Sequence, residues 1–178
     1  MGYCDTMHTS YPTPRSLEAL MIVTVNDLDE IRTCHMGETL VLVGGVYDLL
    51  HVGHVSFLQR CVEPGNVLIV AASSDMRTKQ RKGLHRPIIP ETERVAMLAA
   101  LSIVDYALIA PDPVPDLDVP TVRVIAALRP DIFATSEERF YEYRDNLRRQ
   151  GTEVRYVPEI RQQSTTRIIE QICRRYSS

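Results

Sequence analysis

The stretch from Thr39 to Arg60, TLVLVGGVYDLLHVGHVSFLQR, constrains the fold more than any other part of the chain. Leu40 to Val43 is a short continuous apolar run, β-branched at Val41 and Val43, which suits a strand buried on both faces. Gly44 and Gly45 end it, and without side chains they let a backbone pass close to a bound group. After Asp48 the apolar positions change spacing: Val52, Val55, Leu58 and Val62 recur at three and four, which predicts a helix. The unit therefore reads strand, glycine turn, helix, with His51 and His54 at the helix mouth. Three residues apart, the two imidazoles share one helical face, and Gly53 between them leaves the space before that face open. A helix N-terminus carries unpaired N–H groups and a partial positive charge, so an anion, phosphate above all, settles there.

The same residues also suit blander uses. A histidine pair at this spacing can be half of a metal site, although no cysteine or carboxylate cluster accompanies it in sequence. Both rings can equally serve as caps or core fillers, and the glycines as a tight turn. The longer pattern is more specific. Gly45-Val-Tyr47-Asp48-Leu-Leu-His51-Val-Gly53-His54 resembles the G-x-F-D-x-x-H-x-G-H signature of the cytidylyltransferase-like nucleotidyltransferases, with Tyr47 in place of Phe. That resemblance implies a nucleotide held by Gly44, Gly45, Val46, Tyr47, Asp48 and Gly53, with His51 and His54 catalytic.

The remainder of the chain sets the frame. With 178 residues it is long enough for one domain with its own core. A hydrophobic content of 44% and a charged content of 24% are ordinary for a soluble globular protein. Cys4, Cys34, Cys61 and Cys173 are scattered without a C-x-x-C pair, which reads as reduced thiols of a cytoplasmic protein. No apolar run approaches the roughly 20 residues of a membrane span, and a net charge of −3 argues against a general nucleic-acid binder. Residues 1–24, broken by Tyr11-Pro12-Thr13-Pro14, read as an N-terminal extension, and residues 25–178 as the functional domain. Met1-Gly2-Tyr3-Cys4-Asp5-Thr6 meets a loose myristoylation pattern, too short to carry weight. Asn26 is placed as an N-cap for a helix with Leu28 and Ile31 on one face, ended by Gly37.

Beyond the first helix, Pro64-Gly65 makes a turn and Val67 to Ala72 reads as a second buried strand. Arg77, Lys79, Arg81, Lys82 and Arg86 then fall between Met76 and Pro90 with no acidic residue among them. A solvated basic loop would look the same, but a nucleoside triphosphate needs several cations, and pyrophosphate leaves more easily when they neutralise it. The run from Ser74 to Ile88 resembles the S-D-x-x-x-K-x-x-K-G-x-x-R-P-I segment of ADP-heptose synthase nucleotidyltransferase domains, and Pro90 to Leu101 resembles the helix that follows there. The resemblance implies that Lys79 acts beside the histidines, that Lys82, Arg86 and Arg94 bind phosphate, and that Asp75 lies near the substrate. A third strand is expected at Val104–Ile109, a helix at Thr121–Leu128 after a proline- and aspartate-rich loop (Pro111 to Pro120), and a fourth strand at Ile132–Ala134. A charged helix is expected over Ser136–Gln150, ended by Gly151, and a fifth strand at Glu153–Val157, alternating enough to lie at an edge. The alternation of β and α predicts one Rossmann-like, doubly wound α/β domain with a parallel five-stranded sheet.

The last motif is Ser164-Thr165-Thr166-Arg167-Ile168. Ser164 is placed as an N-cap, and Ile168, Ile169 and Ile172 as the buried stripe of a closing helix. Its mouth is a second anion site, and it is similar to the S-T-T-[RK]-I phosphate-binding motif of ADP-heptose synthases and glycerol-3-phosphate cytidylyltransferases. Together the resemblances imply transfer of a nucleoside monophosphate, from CTP or ATP, to a phosphorylated or phosphonylated small molecule, with Mg²⁺ accompanying the triphosphate. They also imply a homodimer. A nucleotide-binding sensor module that has lost catalysis is the alternative. Val62, Ser102, Thr135-Ser136-Glu137 and Arg161-Gln162-Gln163 depart from the relatives' patterns where acceptor and base are read. The acceptor is therefore expected to be neither heptose phosphate nor glycerol phosphate, with Arg161 as a candidate contact to it.

Overall fold

A computed structural model describes residues 21–112, 120–158 and 163–176. Its core is a parallel five-stranded sheet made of β1 (Leu40–Gly45), β2 (Val67–Ala72), β3 (Tyr106–Ile109), β4 (Ile132–Thr135) and β5 (Glu153–Tyr156). The order across the sheet is β3-β2-β1-β4-β5. The chain thus winds outward from β1 in one direction, then returns to β1 and winds the other way. That reversal makes the space above β1 and β4 the switch point, where ligands bind in open sheets of this kind. The doubly wound fold expected from the sequence is the fold observed.

The continuous apolar run of β1 is explained by burial on both faces. Leu40 and Leu42 point into one core with Leu28, Ile31, Ile69, Val124, Leu128 and Phe133. Val41 and Val43 point into the other, with Leu58, Leu68, Val70, Val95 and Leu98. The period-two alternation of a strand sends successive side chains to opposite sides, so helices α1 (Leu28–Cys34) and α5 (Pro120–Leu128) cover the first face. Helices α2 (Val52–Cys61) and α4 (Glu91–Ala99) cover the second. The short α3 (Asp75–Lys82) follows β2, α6 (Arg144–Arg149) precedes β5, and α7 (Thr165–Tyr176) is the last element.

Two aspartates fix strand starts in the same way. Asp131 accepts from the N–H of Leu40 and pairs with Arg32, and Asp105 accepts from the N–H of Leu68. Burial alone would raise the Asp131 carboxyl, but Arg32 and the Leu40 N–H hold it below its ordinary value. Of the stretch read as an extension, residues 21–24 are described. Ile22 bridges Ala107 in parallel, with Met21 and Val23 exchanging main-chain hydrogen bonds with that residue, so they cover the outer edge of β3.

Three local expectations are corrected. Thr24, not Asn26, caps the start of the first helical segment, through a capping box in which Thr24 and Asp27 bond reciprocally around a 3-10 turn at Val25–Asp27. The helix expected over Ser136–Gln150 is instead a 3-10 turn, Glu138–Tyr143, followed by α6, because Phe140 turns inward onto Phe133. The stripe of α7 is not buried: Ile168 and Ile169 are half-buried and Ile172 is half-exposed. Among the described residues no helix is long and apolar enough to cross a membrane.

Candidate functional site

A cavity of about 260 Å³ opens above the C-terminal ends of β1 and β4. Gly44, Gly45, Val46, Tyr47 and Asp48 form its floor, and His51, Gly53 and His54 one wall. Arg81, Lys82 and Arg86 come from the basic segment, and Ser164, Thr165 and Thr166 from the mouth of α7. The three stretches, separate in sequence, meet in one space.

Local backbone chemistry holds the histidines. His51 caps α2, with its Nδ1 accepting from the Gly53 N–H at 3.1 Å. An accepting nitrogen carries no proton, so a neutral His51 ring holds its proton on Nε2. The His54 ring stacks on His51 with centroids 3.8 Å apart and meets the edge of Tyr47 at 5.4 Å. Burial, together with the neighbouring His51, pushes the His54 pKa down to about 4, with Asp48 acting weakly the other way. His54 is therefore neutral near pH 7 and offers one N–H donor. Gly53 is required by space: a Cβ there would lie 3.0 Å from the His51 ring and 3.2 Å from the Gln163 carbonyl oxygen. A Cβ on Gly45 would lie 2.9 Å from the Tyr47 ring. Tyr47 and Leu49 both have positive φ, 55° and 47°, conformations uncommon for large side chains that accumulate at functional sites.

Asp48 organises the rest. Its fully buried carboxylate accepts from Arg86 Nε at 2.7 Å and from the N–H groups of Ile88 and Ile89 at 3.0 Å. Burial would raise its pKa, but the two N–H groups and the Arg86 guanidinium outweigh that and hold the carboxyl below the usual carboxylate range. Its carbonyl oxygen accepts from the Thr165 hydroxyl. Ser164 caps α7 through its Oγ, which accepts from the Arg167 N–H at 3.2 Å.

Several expected site residues stand elsewhere. Lys79 is exposed on α3 and is not among the residues lining the cavity. Arg94 is completely buried, bonding the carbonyl oxygens of Ile89, Val46 and Ser73 and the Asp75 carboxylate at 2.7 Å. It ties the loops beneath the cavity together and pairs with the Asp75 carboxylate, and neither residue lines the cavity. The carboxylate of Asp48 is likewise committed to the protein and not to a ligand. Arg161 lies outside the described residues. The cavity also brings in Arg81, Phe57, Thr135, Ser136, Glu137 and Gln163, none singled out as a contact from sequence. Arg81 was visible within the basic run, and Thr135-Ser136-Glu137 as a departure from the relatives.

Comparisons with known proteins agree with this fold. The model of the cytidylyltransferase-like family matches residues 42–178. The bifunctional protein HldE of Syntrophotalea carbinolica is 38% identical over 143 residues, covering 79% of this chain and 28% of that protein. HldE of Campylobacter fetus subsp. fetus is 35% identical over 147 residues, covering 82% and 30%. The chain thus spans less than a third of the length of these curated relatives. Among solved structures, the lipopolysaccharide core biosynthesis protein of Thermoplasma volcanium aligns with a TM-score of 0.56 at 26% identity, over 69% of this chain and 97% of that one. Pantoate-beta-alanine ligase from Francisella tularensis, complexed with beta-gamma ATP and beta-alanine, aligns with a TM-score of 0.59 at 14% identity, over 81% and 69%. At that identity the second likeness concerns the fold alone.

Proposed function

The chain belongs to the cytidylyltransferase-like family, and from that premise we propose that it transfers a nucleoside monophosphate from ATP or CTP to a phosphorylated or phosphonylated small molecule. The observation that carries this reading is the meeting of the stacked His51–His54 pair, the basic residues Lys82 and Arg86, and the Ser164–Thr166 helix mouth around one cavity at the switch point.

The acceptor's phosphate or phosphonate is already an anion near neutral pH, so the reaction needs no strong base. One of its oxygens attacks the α-phosphorus in line, a new P–O bond forms, and the bond to the β-phosphate oxygen breaks to release pyrophosphate. Catalysis then consists of positioning and of stabilising charge on the phosphoryl oxygens. A neutral His54 and His51, with the latter's proton on Nε2, each donate one hydrogen bond to those oxygens. The full positive charges that meet the β- and γ-phosphates come from Lys82 and Arg86, and the α7 mouth adds donors from the opposite wall. Mg²⁺ belongs to the reading as part of the nucleotide substrate, held by phosphates and water. Among the described residues no group of three or more His, Cys, Asp or Glu side chains could hold it as a resident ion. The homodimer belongs to the same reading and is tested by light scattering.

The test is pyrophosphate release with ATP and CTP against a panel of phosphate and phosphonate acceptors. One productive pair is expected, and His54→Ala should slow it about 10²–10³-fold, as for loss of one transition-state donor. Nucleotide binding without turnover on any acceptor would favour the sensor-module alternative. Turnover by His54→Ala at the wild-type rate would remove the role given to that imidazole.

A further inference from the structure

We propose that Arg81 is an additional anion-binding residue of this site and that Glu137 holds it in reserve, the two forming an ion-pair strap between the two flanks of β1 that a bound polyphosphate opens. The inference rests on reading the cavity as a polyphosphate site. Strands β2 and β4 flank β1 on either side. Arg81 lies in the last turn of α3, the helix after β2, and Glu137 lies two residues past β4. Their contact, Nη2 to Oε2 at 3.3 Å, therefore joins segments from the two flanks of β1, and both residues line the cavity together with Gly44 and Gly45.

The pair suits a contact that opens. Its side chains are 29% and 38% exposed, and such pairs contribute little. A charge-assisted hydrogen bond from a guanidinium to a phosphate oxygen is the stronger interaction, so an arriving polyphosphate takes Arg81 from Glu137. Glu137 is not stranded when this happens. The same Oε2 is held by Arg139 Nε, whose guanidinium sits over the Phe140 ring at 4.9 Å, and the Glu137 N–H bonds Thr135 Oγ1 at 3.1 Å. Two guanidiniums on one carboxylate leave an excess of positive charge at the mouth, which still attracts an anion. Arg86 differs: its Nε is fixed from beneath by the buried Asp48. Arg81 is instead paired with Glu137, which lines the cavity from the far side of β1.

The experiment measures binding of inorganic tripolyphosphate, ATP and CTP to the full chain by calorimetry at fixed ionic strength. Wild type, Arg81→Gln, Glu137→Gln and the double variant are compared. Arg81→Gln should bind about tenfold more weakly, Glu137→Gln about threefold more tightly, and the double variant like Arg81→Gln alone. Arg81→Lys, which keeps the charge and is the check should Arg81→Gln fold poorly, should stay within about threefold of wild type. If both single neutralisations weaken binding alike, the pair is a structural strut and the proposal is overturned while the polyphosphate reading stands. If wild type binds none of the three probes, the polyphosphate reading falls first and this inference with it.

Discussion

The hydroxyl of Thr165 donates to the main-chain carbonyl of Asp48 at 2.5 Å across 117 residues of sequence. Through this bond the glycine turn after β1 and the mouth of α7 become two walls of one cavity. No residue of α7 is fully buried, and Ile168 and Ile169 are only half-buried, so this bond is one of the contacts that fix the helix against the sheet. Thr165→Val should lose about 1 kcal/mol of stability, and should weaken triphosphate binding further because Ser164 and Thr166 are no longer held in place. Thr165→Ser keeps the hydroxyl and should restore both. Thermal denaturation with and without ATP or CTP checks this, and a valine variant with unchanged nucleotide affinity would contradict it.

Asp48 is predicted to act through structure and not through contact with nucleotide. Asp48→Asn removes the charge that faces Arg86 and, whichever way the amide turns, sets its NH2 against donors, either Arg86 Nε–H and Ile88 N–H or the Ile88 and Ile89 N–H groups. Breaking a buried ion pair by altering one partner costs about 3–5 kcal/mol, so the melting temperature should fall by about 10 °C. The folded carboxyl titrates below its ordinary value of 3.8. Its stabilising contribution is therefore present above that pH and is lost as pH falls through the lowered folded value. The asparagine variant should show less acid sensitivity in that window than wild type, as measured by chemical denaturation across pH.

His54 also makes the fold less stable on acidification, but in a higher pH window than Asp48. Its ordinary pKa is 6.5, and in the folded chain it titrates at about 4. Between those values the unfolded chain binds the proton and the folded chain does not, so stability is full above about pH 6.5 and declines as pH drops toward about 4. Ring-proton titration by NMR should give a folded midpoint far below the ordinary value. A midpoint well above the ordinary 6.5 would show that His54 is charged near neutrality and would reassign it from neutral donor to cation.

The fold was legible because burial on both faces leaves a strand no polar positions: the shortness of Leu40 to Val43, its β-branched residues and the Gly44-Gly45 that ends it suit such a strand, and the edge position of β5 followed from its alternation. The meeting of the histidines, the basic segment and the Ser164 mouth was legible from the resemblance of the three motifs, in order, to those of one family; read alone, Ser164 looks like a plain N-cap. What sequence did not show depends on contacts between distant main-chain atoms. Arg94 looked like a phosphate ligand, yet its acceptors are carbonyls of Val46, Ser73 and Ile89, contributed by three loops that no spacing connects. Lys79 and Arg81 sit on a helix of 8 residues, too short for its apolar pattern to fix a facing, so docking of α3 decided which cation reached the cavity. The stripe of α7 followed helical spacing, but spacing gives a face and not what covers it.

The most direct measurement is a crystal structure of the chain with an α,β-methylene analogue of ATP or CTP. The account predicts triphosphate oxygens within about 3 Å of donors from His51, His54, Lys82 and the Ser164–Thr166 mouth. A triphosphate bound elsewhere, or lying in the cavity with its phosphates turned away from both imidazoles, would contradict it.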